Sequence, residues 1–433
     1  MKKTLKQIGL VFLAVLMIAS MSMSLVACNG DKNEKTTTNN VIPGVNTSGT
    51  TAGTDGTTAG TDGTTSTTQG TQGTTATPVV PPVNQGDYIN PLTGLKTTYN
   101  SANLKPIAVI VDNVSAAYAH QTGLTQADIL YETLVAPGIS RFTMLVSDYS
   151  QLQAICNIRS ARMEHLDIIG SHNAIMVAHN GSTYNDFVSV AASRLGGGWN
   201  EELGKNTFGY VNTMKDVAFT AEGGEKYGTI KYYTSDPNYR KDIAHDTLLT
   251  TQALLAVFQS RYSLFAQSGA TTVGETKSFT FVELDSAKVM NGTSAKNINL
   301  SFTIDNASGT KSVAYTYDAA LGMYLRSQDG KAHTDSVTGA RLAFTNVITL
   351  FTDVSSEKGT DEDPVVATTK VTGSGTGYYF YGGEAVEINW SKSAWDAELV
   401  LTDKNGNALE LARGTTYVGY LDNTSTATAV MFN

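Results

Sequence analysis

Cysteine is almost missing from this chain: Cys28 and Cys156 are the only two in 433 residues, so no disulfide framework holds the fold. Positive charge is in deficit, with 30 Lys and Arg against 39 Asp and Glu, which removes the basic stripe that a nucleic-acid binder needs. The sequence also lacks a Gly-x-Ser-x-Gly elbow, a phosphate-loop pattern and a His-Glu-x-x-His zinc motif. Carboxylate runs at Glu201-Glu202 and Asp361-Glu362-Asp363 lie in polar surroundings and read as solvated loops, with a calcium site as the minor alternative.

The longest apolar run is at the start. Lys2, Lys3 and Lys6 precede the stretch from Ile8 to Ile18, and Leu25-Val26-Ala27-Cys28 follows. A positive n-region, an apolar stretch too short to span a bilayer and a terminal cysteine read as a lipoprotein signal peptide over residues 1–28. Such an ending resembles a bacterial lipobox, in which the cysteine is acylated and becomes the first mature residue. Two or more acyl chains on Cys28 would fix the protein to the outer face of the cytoplasmic membrane. An uncleaved anchor helix is the competing reading. Residues 29–87 repeat units such as Thr54-Asp55-Gly56-Thr57-Thr58 and hold few bulky apolar side chains. Such a tract cannot offset its ordering entropy and reads as a disordered tether, with a root-mean-square reach of about 40 Å.

Ordered structure is expected from residue 88. Ile107 to Val111 reads as a buried strand ending in Asp112-Asn113, Arg141 to Val146 and Ala174 to Ala178 as further strands. Ala127, Ile129, Leu130 and Leu134 recur at helical spacing, which predicts a helix over Thr125 to Val135. Helices are also predicted over Ala161 to Ile169, stopped by Gly170, and over Tyr184 to Leu195. Beyond residue 263 the runs are rich in Val, Ile, Thr, Tyr and Phe, and Asn291-Gly292, Asp329-Gly330 and Asn405-Gly406 are expected to turn hairpins. The expected fold is α+β: an N-terminal α/β-type domain of mixed sheet and helices (88–262), then a mainly antiparallel β domain (263–433). Trp390 and Trp395 are expected in its core or rim rather than as a sugar platform.

Ordered blocks along both halves resemble one family. Asn90-Pro91-Leu92-Thr93-Gly94, Pro106 to Asn113, Ala127 to Glu132, Arg159-Ser160-Ala161-Arg162, Tyr324-Leu325-Arg326 with Gly330 and Asp335, Asn346-Val347-Ile348 and Gly375 to Trp390 resemble the YerB-like lipoproteins, a two-domain family (DUF3048) without an established activity. The resemblance implies a membrane-anchored scaffold with N- and C-terminal domains. It assigns no nucleophile to Cys156, because Cys156-Asn157-Ile158 stands where the family pattern has glycine-proline. Cys156 is expected to be a buried free thiol.

Chemistry is sought where cationic side chains cluster. Arg159 and Arg162 stand three apart around Ser160, and if a helix starts near Ala161 both would flank its N-terminus, where free N–H groups favour an anion. Together with Asp112 and Arg240 they form the candidate ligand-binding set, and His245 is the candidate proton shuttle. The competing reading ties Arg159 or Arg162 to Asp112, Asp128 or Glu132 as an ion-pair network, and leaves His245 bonding a loop end. His165, His172 and His179 are spaced by seven, but Gly170 is expected to break the helix between them, so no metal site is assigned; no cofactor is expected. Two functions are carried forward. One is a non-enzymatic envelope lipoprotein whose partners are the membrane lipid and peptidoglycan or envelope proteins. The other is a hydrolase or transferase acting on an anionic envelope polymer through Arg159, Arg162 and His245.

Overall fold

The computed structural model describes residues 85–101, 104–179, 181, 187–196, 199–200, 205–206, 209–212, 248–249, 251, 253–258, 275–305, 307–359 and 365–433. The expected signal peptide, nearly all of the expected tether, Arg240, His245 and the expected 262/263 domain boundary lie outside the described residues, as does the side chain of Cys156.

An eleven-stranded mixed sheet runs through the fold. Its first half is built from β1 (Ile107–Asn113), β2 (Ile129–Ala136) and β3 (Ile139–Val146), followed by α1 (Met163–His172), β4 (Ile175–Ala178), α2 (Phe187–Leu195) and β5 (Tyr210–Asn212). The second half supplies β6 (Asn297–Phe302), β7 (Lys311–Asp318), β8 (Met323–Gln328), β9 (Asn346–Thr352), β10 (Gly373–Tyr381), β11 (Glu384–Lys392), β12 (Val400–Asp403), β13 (Thr416–Asp422) and β14 (Val430–Phe432). In the large sheet the order is β5-β4-β1-β3-β2-β13-β9-β10-β11 and then Thr293–Ser294, with β12 also on β11. The halves meet at a parallel pair, Ile129 opposite Thr416 through Glu132 opposite Gly419. An α+β fold is therefore present, with one sheet common to both halves. A second, antiparallel sheet of six strands holds β14-β6-β7-β8.

Strand alternation decides what each face meets. Ile107, Val109 and Val111 of β1 point toward the second sheet, where Ile298, Leu300, Val313 and Tyr315 close one core. Ala108 and Ile110 point the other way, onto Leu166, Ile168 and Ile169 of α1 and Phe187 and Ala191 of α2. Both faces are covered, so central strands are buried along nearly their whole length. Trp390 is 2 % exposed and Trp395 packs beside that second core, as expected of core and rim residues.

Four local expectations are corrected. The predicted helix over Thr125 to Val135 is only a short 3₁₀ turn (Leu124–Gln126) and then β2. Residues 129–135 are all buried, and a strand covered on both faces loses the alternation that would reveal it. The helix expected from Ala161 starts at Met163 and runs through Gly170 to His172. A Cβ at Gly170 would sit 2.6 Å from the Trp395 ring, so that glycine permits close packing, and Asn173 in the left-handed region (φ 53°) ends the helix instead. His165 and His172 therefore share one helix. Asn291-Gly292 does not turn a hairpin; it leads into Thr293–Ser294, which pairs with the distant β11. Asp329-Gly330 does turn one, both residues having positive φ between β8 and Lys331–Ala332.

Candidate functional site

The arginine region is built by β1, β3 and the segment entering α1. Asp112 N donates to Asn157 O and Arg159 N to Ile110 O, which lays 157–159 along the end of β1. There Arg159 Nε lies 3.4 Å from Asp112 Oδ2, with the Arg159 side chain 24 % and the Asp112 side chain 2 % exposed. Arg141 pairs across from Asp112 in the sheet and donates to Ser160 O at 2.6 Å. Ser160 Oγ donates to His179 O at 3.0 Å. Because α1 begins at Met163, Arg162 alone occupies the position before the helix; Arg162 N donates to His165 Nδ1 at 2.8 Å and its side chain is buried. The expectation that both arginines flank the helix start is thus corrected: Arg159 takes the ion-pair role with Asp112. Burial, with Arg141 and Arg162 adding, holds His165 well below the ordinary histidine range. Burial and then Arg159 bring His179 down to about 4. Glu164 is raised to about 8 by burial, although Arg162 and Arg141 pull the other way.

A second polar group lies between the two sheets; its Glu132, expected as a partner of Arg159 or Arg162, pairs instead with Arg326. Alternation in β2 puts Glu132 on the same face as Leu130 and Leu134, inside the apolar core. Its partner Arg326 comes from β8, 194 residues away, at 2.8 Å, and both side chains have zero exposure. Tyr417 donates to the same carboxylate oxygen (2.7 Å), while Ser140 (2.6 Å) and Asn113 (2.9 Å) donate to the other. Arg326 also donates to Gln328 Oε1 (2.7 Å) and to His333 Nδ1, and lies over the Phe142 ring. His333 Nε2 then donates to Gln121 Oε1 at 2.9 Å, and Gln121 Nε2 donates to Asp112 O at 2.6 Å. Burial raises the Glu132 carboxyl, but Arg326 and Lys311 outweigh it and hold Glu132 below its usual range. Burial lowers Arg326, and Glu132 more than restores it. The pair is ionised and sealed from water: it clamps the halves and offers no surface to a ligand. Glu132 and Arg326 stand in two of the blocks that carry the family resemblance; a lone charge inside an apolar strand was the available signal.

The third polar region is open. A cavity of about 260 Å³ lies between residues 90–97 and 146–152, with Asp128 and Asp148 in its wall. Asp128 Oδ1 accepts from Asn90 Nδ2 at 3.0 Å and Oδ2 from Ser147 N at 2.7 Å. Among the described residues no cluster of three His, Cys, Asp or Glu side chains is arranged to hold a metal, and no helix is long and apolar enough to cross a membrane.

These features define a two-half α+β protein whose halves share a sheet and are clamped by a buried ion pair. The "Protein of unknown function (DUF3048) N-terminal domain" family matches residues 92–221 and the corresponding C-terminal domain matches 302–418, so the chain belongs to the YerB-like DUF3048 family. A Bacillus subtilis (strain 168) protein whose name marks it as a lipoprotein, YerB, is 26 % identical over 329 residues, covering 76 % of this chain and 84 % of its own. The crystal structure of Bacillus subtilis YerB has a similar fold, with a TM-score of 0.57 at 23 % identity, covering 80 % of this chain and all of that one.

Proposed function

We propose that the chain is a lipid-anchored, extracytoplasmic binding or scaffold protein of the bacterial envelope, without an activity of its own. The observation that carries this reading is the order of segments: Lys2, Lys3 and Lys6, an apolar run, Leu25-Val26-Ala27-Cys28, a Thr/Gly-rich tether, then a clamped body. The name of the Bacillus subtilis relative supports the anchor. The competing hydrolase or transferase reading needs Arg159, Arg162 and His245 on one anion. Arg159 is held by Asp112 and Arg162 is 8 % exposed, which counts against an open substrate pocket on these two arginines. Cys28→Ala should leave the precursor unprocessed or release the protein from the membrane fraction. Unchanged membrane attachment and mass in that variant would overturn the anchor. For the binding role, crosslinking in cells should recover an envelope protein, or the purified chain should sediment with peptidoglycan. Failure of both would overturn it.

A further inference from the structure

The cavity beside Asp128 is not used by anything above. Its apolar lining is Leu95, Val146 and Leu152, and its polar lining includes Asp128, Asp148 and Lys96 beside neutral groups such as Gln126 and Gln151. The two carboxyls are fixed by neutral donors. Asp128 takes Asn90 Nδ2 and Ser147 N, one on each oxygen. Asp148 Oδ1 takes Ser150 N at 3.2 Å and Ser150 Oγ at 2.5 Å. Neither carboxyl takes part in an ion pair among the described residues.

A cavity with apolar lining and a few polar groups facing it is the usual form of a small-ligand site. Its charge selects the ligand. An anion would meet two carboxyls against one lysine, Lys96, and a neutral guest would leave the excess carboxylate desolvated without a counter-charge. A cation supplies that charge, and the apolar lining suits a short methylene chain. We propose that this cavity binds a primary alkylammonium group, with the ammonium on Asp128 and Asp148 and the chain along Leu95, Val146 and Leu152. The inference deepens the binding reading and rests on it for its biological setting, while standing apart from the anchor.

Asp128 is pushed up to about 7 by burial, with Ser147 and Asn90 pulling it down and Asp148 adding to the rise. Burial raises Asp148 too. The other titratable groups at the site are Lys96 in the wall and Tyr99 and Tyr149 beside Asp148; burial raises both tyrosines, so they stay protonated. An ammonium guest should therefore bind the ionised form of Asp128 and release a proton on binding at neutral pH.

The test is calorimetric titration of the full chain, purified in detergent, with cadaverine, alongside 1-pentanol and a wall-peptide fragment carrying a free side-chain amine. Saturable 1:1 binding of cadaverine is expected, with Kd on the order of 1 mM. Affinity should be about tenfold weaker near pH ~6 than near pH ~8, following ionisation of Asp128. Tighter binding of the fragment would assign the amine to the wall, and equal binding would assign it to free amines; both support the site. Asp128→Asn should lose binding. Because that change also removes one acceptor oxygen, Leu95→Trp, which fills the cavity from its half-buried wall, gives a second route to the same loss. Equal binding of 1-pentanol, an affinity indifferent to pH, or full binding by a folded Leu95→Trp variant would overturn the proposal. Absence of amine binding with peptidoglycan sedimentation intact would sink this inference alone.

Discussion

Glu164 stands in the first turn of α1 with 4 % exposure, and burial keeps its proton on until about pH 8. The folded state therefore holds a proton that the unfolded chain has released above the ordinary glutamate range. Stability from this group is full at low pH and is lost as pH rises toward and past 8. Glu164→Gln should melt higher than wild type at pH ~9, by about 5 °C, with the difference closing near pH ~5; scanning calorimetry at the two values checks it. His172 works on the acid side. It accepts from Tyr131 OH on Nε2 (2.7 Å) and donates from Nδ1 to Lys277 O (2.8 Å), and burial brings it down to about 4. Its folded pKa lies below that of a free histidine, so its contribution is present above about 6.5 and is lost as pH falls toward 4. His172→Gln should accordingly flatten the acid limb of the melting-temperature profile while lowering its plateau, and an unaltered acid limb would remove His172 from the account.

At the scale of elements, β2 and β8 are joined by a charge pair where each would ordinarily place an apolar side chain. Removing one partner strands the other in the core. Glu132→Gln and Arg326→Met should each cost about 3–5 kcal/mol in urea unfolding, far more than an exposed pair such as Lys404 and Glu387. Replacing both, with Glu132→Leu and Arg326→Met, should recover a large part of that loss, because no charge is left uncompensated. A double variant as unstable as the sum of the singles would show that the surrounding donors Tyr417, Ser140 and Asn113 dominate instead. The β2–β3 hairpin adds a second contact. Its Pro137-Gly138 turn has Gly138 at φ 70°, and a Cβ there would sit 2.9 Å from the Gly309 backbone. Positive φ and close approach across the halves both require glycine.

At the scale of the molecule, the parallel pairing of β2 with β13 makes one sheet from chain segments nearly three hundred residues apart in sequence. Alone, each half would leave an edge strand, β2 or β13, without its parallel partner. Full-length protein should therefore unfold in a single transition by both tryptophan fluorescence and far-ultraviolet circular dichroism. Residues 85–262 and 263–433, expressed separately, should each show poor amide protection, and mixing them should restore it. Two resolved transitions in the full chain, or independent cooperative folding of either fragment, would contradict the shared sheet as the source of stability.

Much was legible in the residues themselves. The short strands around Ile107 to Val111 and Arg141 to Val146 and the Asp329-Gly330 turn are local signals, set by composition, alternation and φ preference. The family blocks, read in order, place the chain in its family. What the tertiary structure decided is long-range. Burial on both faces erased the period of β2, so Ile129 to Val135 read as part of a helix; Trp395 turned Gly170 from a helix stop into a packing position. The partner of each charge was likewise set by distance in space. Arg159 fell to Asp112, while Glu132 took Arg326 across the two sheets, and Asp128 kept only neutral donors beside an open cavity. A side chain's type fixes what it can bind, but the desolvation and neighbours that choose among those options are created only when remote strands pack together.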